Sequence, residues 1–212
     1  MSDLNVIKEG KELLAGFMRR LYRQRLTTTS GGNISMRCGE SILLTPSGTD
    51  KGELQAAEIG VVDLEGRPSD KSFRPSIESE IHLEIYRHYD DIMAVVHAHP
   101  LAASAFAASR AVIKSSYHAE AQVILGQVGH VGYYCPGTSE LARRVAEKVA
   151  EHSCLLLRNH GALCVGRSVL QAFDRMEVLE AAARINLIMR GALADEAVEL
   201  SATAVTELEK FS

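Results

Sequence analysis

The residues best suited to chemistry are histidines at the ends of apolar runs. Ile92-Met93-Ala94-Val95-Val96 leads directly into His97-Ala98-His99-Pro100. Read as a strand, this run alternates its side chains between two faces, so His97 and His99 project to the same side and sit close enough to share one ion. A third histidine, His160, follows a second run, Cys154-Leu155-Leu156-Leu157-Arg158-Asn159. Three imidazoles with one or two positions left over make an open metal site. Neutral imidazole suits borderline cations, zinc best, with cobalt, manganese and iron as other candidates. A cation held this way acts as a Lewis acid on carbonyl and hydroxyl oxygens.

Such a site needs a group that moves protons on and off carbon, and a nearby carboxylate suits that task. Glu78 is the candidate. It follows Arg74-Pro75-Ser76-Ile77, where Pro75-Ser76 predicts a helix start with Ser76 as N-cap. On that helix Ile77, Ile81 and Ile85 fall toward the core, and Glu78 shares another face with His82. The alternative for Glu78 is an ordinary first-turn glutamate favoured by the helix dipole.

Two turns offer anion donors. Thr27-Thr28-Thr29-Ser30-Gly31-Gly32-Asn33 is rich in hydroxyls and glycine, so Gly32 can expose a backbone N–H and Asn33 adds an amide. It lacks the lysine and spacing of a P-loop, and taken alone it reads as a plain turn. Pro46-Ser47-Gly48-Thr49 is the second. With the Ser76 helix start they make three uncharged donor sources for a phosphate. The remaining histidines, His82, His88, His118, His130 and His152, read as surface groups or as neighbours of the ligands.

These residues need a frame. Residues 4–25 have helical periodicity through Leu13, Leu14, Phe17, Met18 and Leu21, with Lys11, Arg19, Arg20 and Arg23 on a solvated face and Ser2 or Asp3 as cap. Strands are expected after Asn33, at Ser41–Thr45, Ile59–Leu64, Ala111–Lys114 and His130–Tyr134, and across Leu155–Leu157 with a hairpin partner from Gly161. Further helices are expected over 101–108, 118–125, 140–152, 169–190 and 202–211. Several strand pairs are joined by short turns. That predicts an α/β fold with a mainly antiparallel sheet flanked by helices, not a doubly wound parallel sheet.

The 212 residues fit one domain, 1–212, and 46% hydrophobic content supports a sizeable core. A net charge of -4 argues against a basic nucleic-acid-binding face. No apolar leader opens the chain and no apolar run approaches the ~20 residues that span a bilayer, so a cytoplasmic protein without a membrane partner is expected. Cys38, Cys135, Cys154 and Cys164 show no Cys-x-x-Cys spacing and read as reduced thiols, three of them in or beside apolar runs.

Taken in order, Ser30-Gly31-Gly32-Asn33-Ile34-Ser35, Thr45-Pro46-Ser47-Gly48, Arg74-Pro75-Ser76-Ile77-Glu78 with His82, Val95-Val96-His97-Ala98-His99 and Asn159-His160-Gly161 resemble the class II aldolase/adducin family over about residues 5–190. The resemblance implies an α/β/α sandwich around a mainly antiparallel sheet and a homotetramer. It implies one Zn2+ per subunit on His97, His99 and His160, with Glu78 as acid/base. Gly32, Asn33, Ser47, Gly48 and Ser76 match phosphate-binding positions. The implied reaction is cleavage of a phosphorylated ketose, L-fuculose 1-phosphate or a similar deoxy-ketose phosphate, to dihydroxyacetone phosphate and an aldehyde through an enediolate. A ribulose-phosphate 4-epimerase or a sugar-phosphate dehydratase uses the same chemistry. A non-catalytic scaffold of the adducin kind is the reading from another class, and it predicts lost metal ligands. Three departures stand out. Ile77 replaces a second serine, His118 falls where relatives carry a tyrosine and becomes a candidate proton donor, and no tyrosine follows Tyr134.

Overall fold

The structure is a computed structural model that describes residues 3–211; the expected cap at Ser2 or Asp3 lies outside the described residues and side chains. Helix α1 (Asp3–Arg23) is followed by strands β1 (Asn33–Cys38), β2 (Ser41–Leu44) and β3 (Gly60–Val62). Then come α2 (Ser79–His88), β4 (Ala94–Ala98), α3 (Leu101–Ala107), α4 (Ala119–Leu125) and β5 (Gly129–Val131). The chain continues through α5 (Ser139–Val149), β6 (Cys154–Leu157), β7 (Gly161–Gly166), α6 (Val169–Arg190) and α7 (Ala202–Leu208).

The strands form one seven-stranded sheet in the order β3-β2-β1-β4-β7-β6-β5. The β5–β6 pair is parallel and the other five pairings are antiparallel. The expected sheet is therefore observed. Helices cover both faces. Strand alternation divides the core in two: Ile34, Leu43, Val96, Leu156 and Cys164 face α1, α3 and α6, whereas Ile42, Val95, Leu155, Leu163 and Val165 face α2 and α5.

The starts of α5 and α6 carry side-chain caps. Thr138 Oγ1 accepts the Leu141 N–H and Ser168 Oγ accepts the Gln171 N–H. The start of α2 does not. Ser76 is held in a turn, with its carbonyl accepting from the backbone and hydroxyl of Ser79, and the helix begins at Ser79 with Glu78 as the N-cap residue. Pro46 and Pro75 form an isolated bridge that keeps this entry extended. Ile77 therefore points outward, 71% exposed, while Ile81 and Ile85 are buried as expected. Leu13 is also exposed, on the outer edge of α1.

No strand forms at Ala111–Lys114. The Asn186 side chain takes the place of a strand partner, accepting the Lys114 N–H at 2.8 Å and donating to the Lys114 carbonyl at 3.0 Å. Strand β5 stops at Val131, short of Tyr134. Cys154 and Cys164 are free thiols buried directly across the β6–β7 pair, and Cys135 is an exposed free thiol. No described helix is long and apolar enough to cross a membrane.

Candidate active site

Strand β4 occupies the middle of the sheet and carries His97 one residue before its end. His97 has the parity of Val95, so it faces α2, and Asn33 of β1 lies opposite it in the register. His99 follows just beyond the strand, anchored by its backbone N–H on the Leu26 carbonyl. Its Nε2 lies 3.1 Å from His97 Nε2. His160 arrives from the β6–β7 turn, where Asn159 adopts a left-handed conformation with φ 54°. The three rings are mutual neighbours, with centroids 4.8 to 5.5 Å apart.

Two glycines permit this crowding. A Cβ on Gly161 would meet the Ala98 carbonyl oxygen at 2.5 Å and His99 Cδ2 at 2.6 Å. A Cβ on Gly32, whose φ is +66°, would meet the His97 carbonyl oxygen at 2.8 Å. The Gly31-Gly32 turn thus packs directly against the histidine strand. A second support comes from Glu180 of α6. Its buried carboxylate accepts the N–H groups of Ala102 at 3.1 Å and Ala103 at 2.9 Å, fixing the start of α3 immediately after His99.

The donor set fits a transition metal. His97 Nδ1 donates to the Ala162 carbonyl at 2.9 Å, which leaves the Nε2 lone pair facing His99 and His160. One nitrogen from each of the three histidines falls within 4.8 Å of the others. Two nitrogens on one zinc, each at ~2.0–2.1 Å in tetrahedral geometry, stand about 3.3 Å apart. The observed His97–His99 separation of 3.1 Å is close to that value. His160 Nδ1 is buried with no partner, so that ligand lacks the outer hydrogen bond that His97 has.

Glu78 completes the cluster. Its Oε1 lies 2.7 Å from His160 Nε2 and its Oε2 lies 3.3 Å from His97 Nε2. Burial pushes the carboxyl up, but its contacts with His160 and then His97 outweigh burial and hold it below the usual carboxylate range. Burial pulls His99 down to about 4, and the neighbouring His97 and His160 add to this, so its ring is neutral at pH 7 and available as a ligand.

Behind Glu78 lies a polar wall the sequence reading did not assemble. Asn33 Nδ2 donates to Glu78 Oε2 at 3.0 Å, and Asn33 Oδ1 is 2.5 Å from His82 Nε2. His82 Nδ1 is 2.6 Å from Ser35 Oγ, which is 2.7 Å from the Tyr86 hydroxyl. Burial pulls His82 down to about 3, with His97 adding and Glu78 opposing. Burial likewise pushes the Tyr86 phenol up. A signal for this wall was present: Glu78, His82 and Tyr86 recur at i, i+4 and i+8, and Asn33 and Ser35 share one strand face.

The candidate phosphate residues gather at one rim. Ser76 Oγ accepts the Glu78 N–H at 3.3 Å and lies 3.4 Å from Asn33 Nδ2. The Asn33 amide is thus engaged by Glu78, Ser76 and His82. The Ser47 N–H donates to the Arg74 carbonyl at 2.9 Å, bringing the second turn beside the Ser76 entry. Lys51 is buried beneath this turn, donating to the Pro46 carbonyl and 3.4 Å from Thr49 Oγ1, while its backbone N–H holds the Thr29 carbonyl of the first turn. Burial lowers its ammonium to about 8, with Glu58 opposing. His118 stands apart. It caps α4, is exposed, and lies 3.8 Å from Glu120, with no ring or ion-pair contact to the three histidines among the described residues.

The mainly antiparallel seven-stranded sheet, with helices on both faces, sets a three-histidine cluster that could hold a metal ion beside a buried carboxylate. The chain belongs to the class II aldolase and adducin N-terminal domain family, whose model matches residues 12–187. It is 36% identical over 171 residues to an L-fuculose phosphate aldolase of Methanococcus maripaludis, covering 81% of this chain and 92% of that one. It is 34% identical to a 3-oxo-tetronate 4-phosphate decarboxylase of Pectobacterium atrosepticum, covering 94% of each. Among solved structures, an L-fuculose 1-phosphate aldolase superposes with a TM-score of 0.85 at 30% identity, covering 95% of both chains.

Proposed function

We propose that the chain is a single-domain metal-dependent aldolase that cleaves a ketose 1-phosphate, L-fuculose 1-phosphate or a similar deoxy-ketose phosphate, to dihydroxyacetone phosphate and an aldehyde. The supporting observation is the convergence of Glu78 with His97, His99 and His160 around one point. Zinc bound by the three histidines would supply a Lewis acid for the substrate's carbonyl and hydroxyl oxygens. Glu78 exchanges the proton at the carbon that carries the enediolate after the carbon–carbon bond breaks. Its burial keeps water from competing for that proton. Gly32, Asn33, Ser47, Gly48 and Ser76 form the phosphate rim, in which Asn33 shares its amide with Glu78 and His82. The scaffold reading loses support, because all three metal ligands are present and gathered. A homotetramer with bound phosphorylated ketose belongs to the same reading.

The decarboxylase relative supports a second reading. Loss of CO2 from a 3-oxo acid 4-phosphate leaves the same enediolate as aldol cleavage, and protonation gives dihydroxyacetone phosphate in both cases. The two reactions differ only in the departing group. The site's enediolate half serves either, and the decarboxylation needs no donor for a second product. That matters because the candidate donor His118 lies away from the cluster. The zinc-loaded protein is to be incubated separately with L-fuculose 1-phosphate and with 3-oxo-tetronate 4-phosphate. Dihydroxyacetone phosphate is read through a coupled dehydrogenase, aldehyde and CO2 directly. Aldehyde release from the ketose phosphate supports the aldolase; CO2 release alone transfers the assignment to the decarboxylase.

A further inference from the structure

The polar wall behind Glu78 has a direction, and chemistry fixes it. Asn33 presents Nδ2 to Glu78 Oε2 at 3.0 Å; turned over, it would set a carbonyl oxygen against a carboxylate. Asn33 Oδ1 therefore faces His82 Nε2, 2.5 Å away, and accepts from it. His82 then carries its proton on Nε2, and Nδ1 is an acceptor. The Ser35 hydroxyl, 2.6 Å from Nδ1, donates its single proton there. The Tyr86 hydroxyl, 2.7 Å from Ser35, must donate to Ser35. Every hydrogen in the series points toward Glu78. Tyr86, Ser35, His82 and Asn33 are all at most 2% exposed, so no water substitutes for a missing link.

We propose that His82, as the neutral Nε2–H tautomer, is the positioning residue for Glu78, acting through Asn33. It holds the Asn33 amide in the one orientation that donates to Oε2. That leaves Oε1, which the wall does not engage and which lies 2.7 Å from His160 Nε2, as the oxygen that exchanges the substrate proton. Ser35 and Tyr86 lock the tautomer. The series orients and does not conduct: moving a proton along it would reverse the Asn33 contact. This inference rests on the reading of Glu78 as the acid/base, but its first test does not.

That test is the long-range 1H–15N correlation spectrum of the histidine side chains in the metal-loaded protein, with His82 assigned by its loss in His82→Gln. The expected result is the Nε2–H pattern; an Nδ1–H pattern overturns the proposal. The second test is kinetic. His82→Phe is expected to lower kcat about 10–100-fold, the usual cost of losing an outer-shell partner. Its KM should stay within about threefold of wild type, with full metal content. In His82→Gln the amide accepts from Ser35 and donates to Asn33, so it should recover most of the turnover lost in His82→Phe. A folded His82→Phe with wild-type turnover, or one that loses metal in step with activity, overturns the inference. If His82→Phe does not fold, a His82→Gln protein as slow as Glu78→Gln overturns it instead. The nitrogen spectrum needs no substrate, so it decides the tautomer even where the aldol reading fails.

Discussion

The two faces of the sheet are built from alternate residues of the same strands and differ in what those residues bury. On the α1, α3 and α6 face, the strand residues Ile34, Val96, Ala98 and Cys164 pack into an apolar layer. On the α2 face the neighbouring residues Asn33, Ser35 and His97 are polar and buried. Burying polar groups costs free energy unless each finds a partner. The α2 face meets that demand by supplying Glu78, His82 and Tyr86 along one side of a single helix. The difference teaches that both faces carry an apolar core, and that the α2 face accepts polar burial beside its core where the candidate site lies.

Three substitutions break or sharpen this contrast, from the largest effect at the site to the smallest. His160→Ala should abolish metal binding and activity together, with metal affinity falling by more than the ~100-fold seen when only an outer partner is lost. Metal analysis after dialysis checks it, and a metal-loaded, active variant would refute the three-histidine site. Glu78→Gln should keep one metal per chain and lose about 10²–10⁴-fold in turnover. Retained turnover would remove Glu78 from the mechanism. Leu156→Ala, on the apolar face, should cost about 2–5 kcal/mol of stability in denaturant melts. Metal content and KM of the folded fraction should not change; if they do, the two faces are not independent.

Much of this contrast was legible in the sequence. Alternation in Val95–His99 placed two histidines on one side, and turn chemistry placed strand ends. What escaped was set by distant partners. Ser76 is a plausible cap by residue type, but the Pro46–Pro75 bridge holds it in an extended entry, which delays the helix to Ser79 and turns Ile77 outward. Ala111–Lys114 has strand composition, yet a side-chain amide from a helix more than 70 residues later occupies its backbone. Nothing local shows that β1 will pair with β4 or that Glu78 and His82 will engage the Asn33 amide. Lys51 carries no local signal of burial and is 1% exposed, because its partners are backbone and hydroxyl groups of the turn it supports.

The central position of β4 has one more consequence, for the order in which the chain can be assembled. Its two neighbours are β1, some sixty residues earlier, and β7, some sixty-five later. As synthesis proceeds from the N-terminus, His97 and His99 emerge well before His160, and before the strand that covers one edge of their own. A growing chain can therefore present two ligands but cannot close the site until β7 is made. On the metal-site reading, capture of an ion would coincide with completion of the sheet, and its binding free energy would favour the whole fold, not one loop.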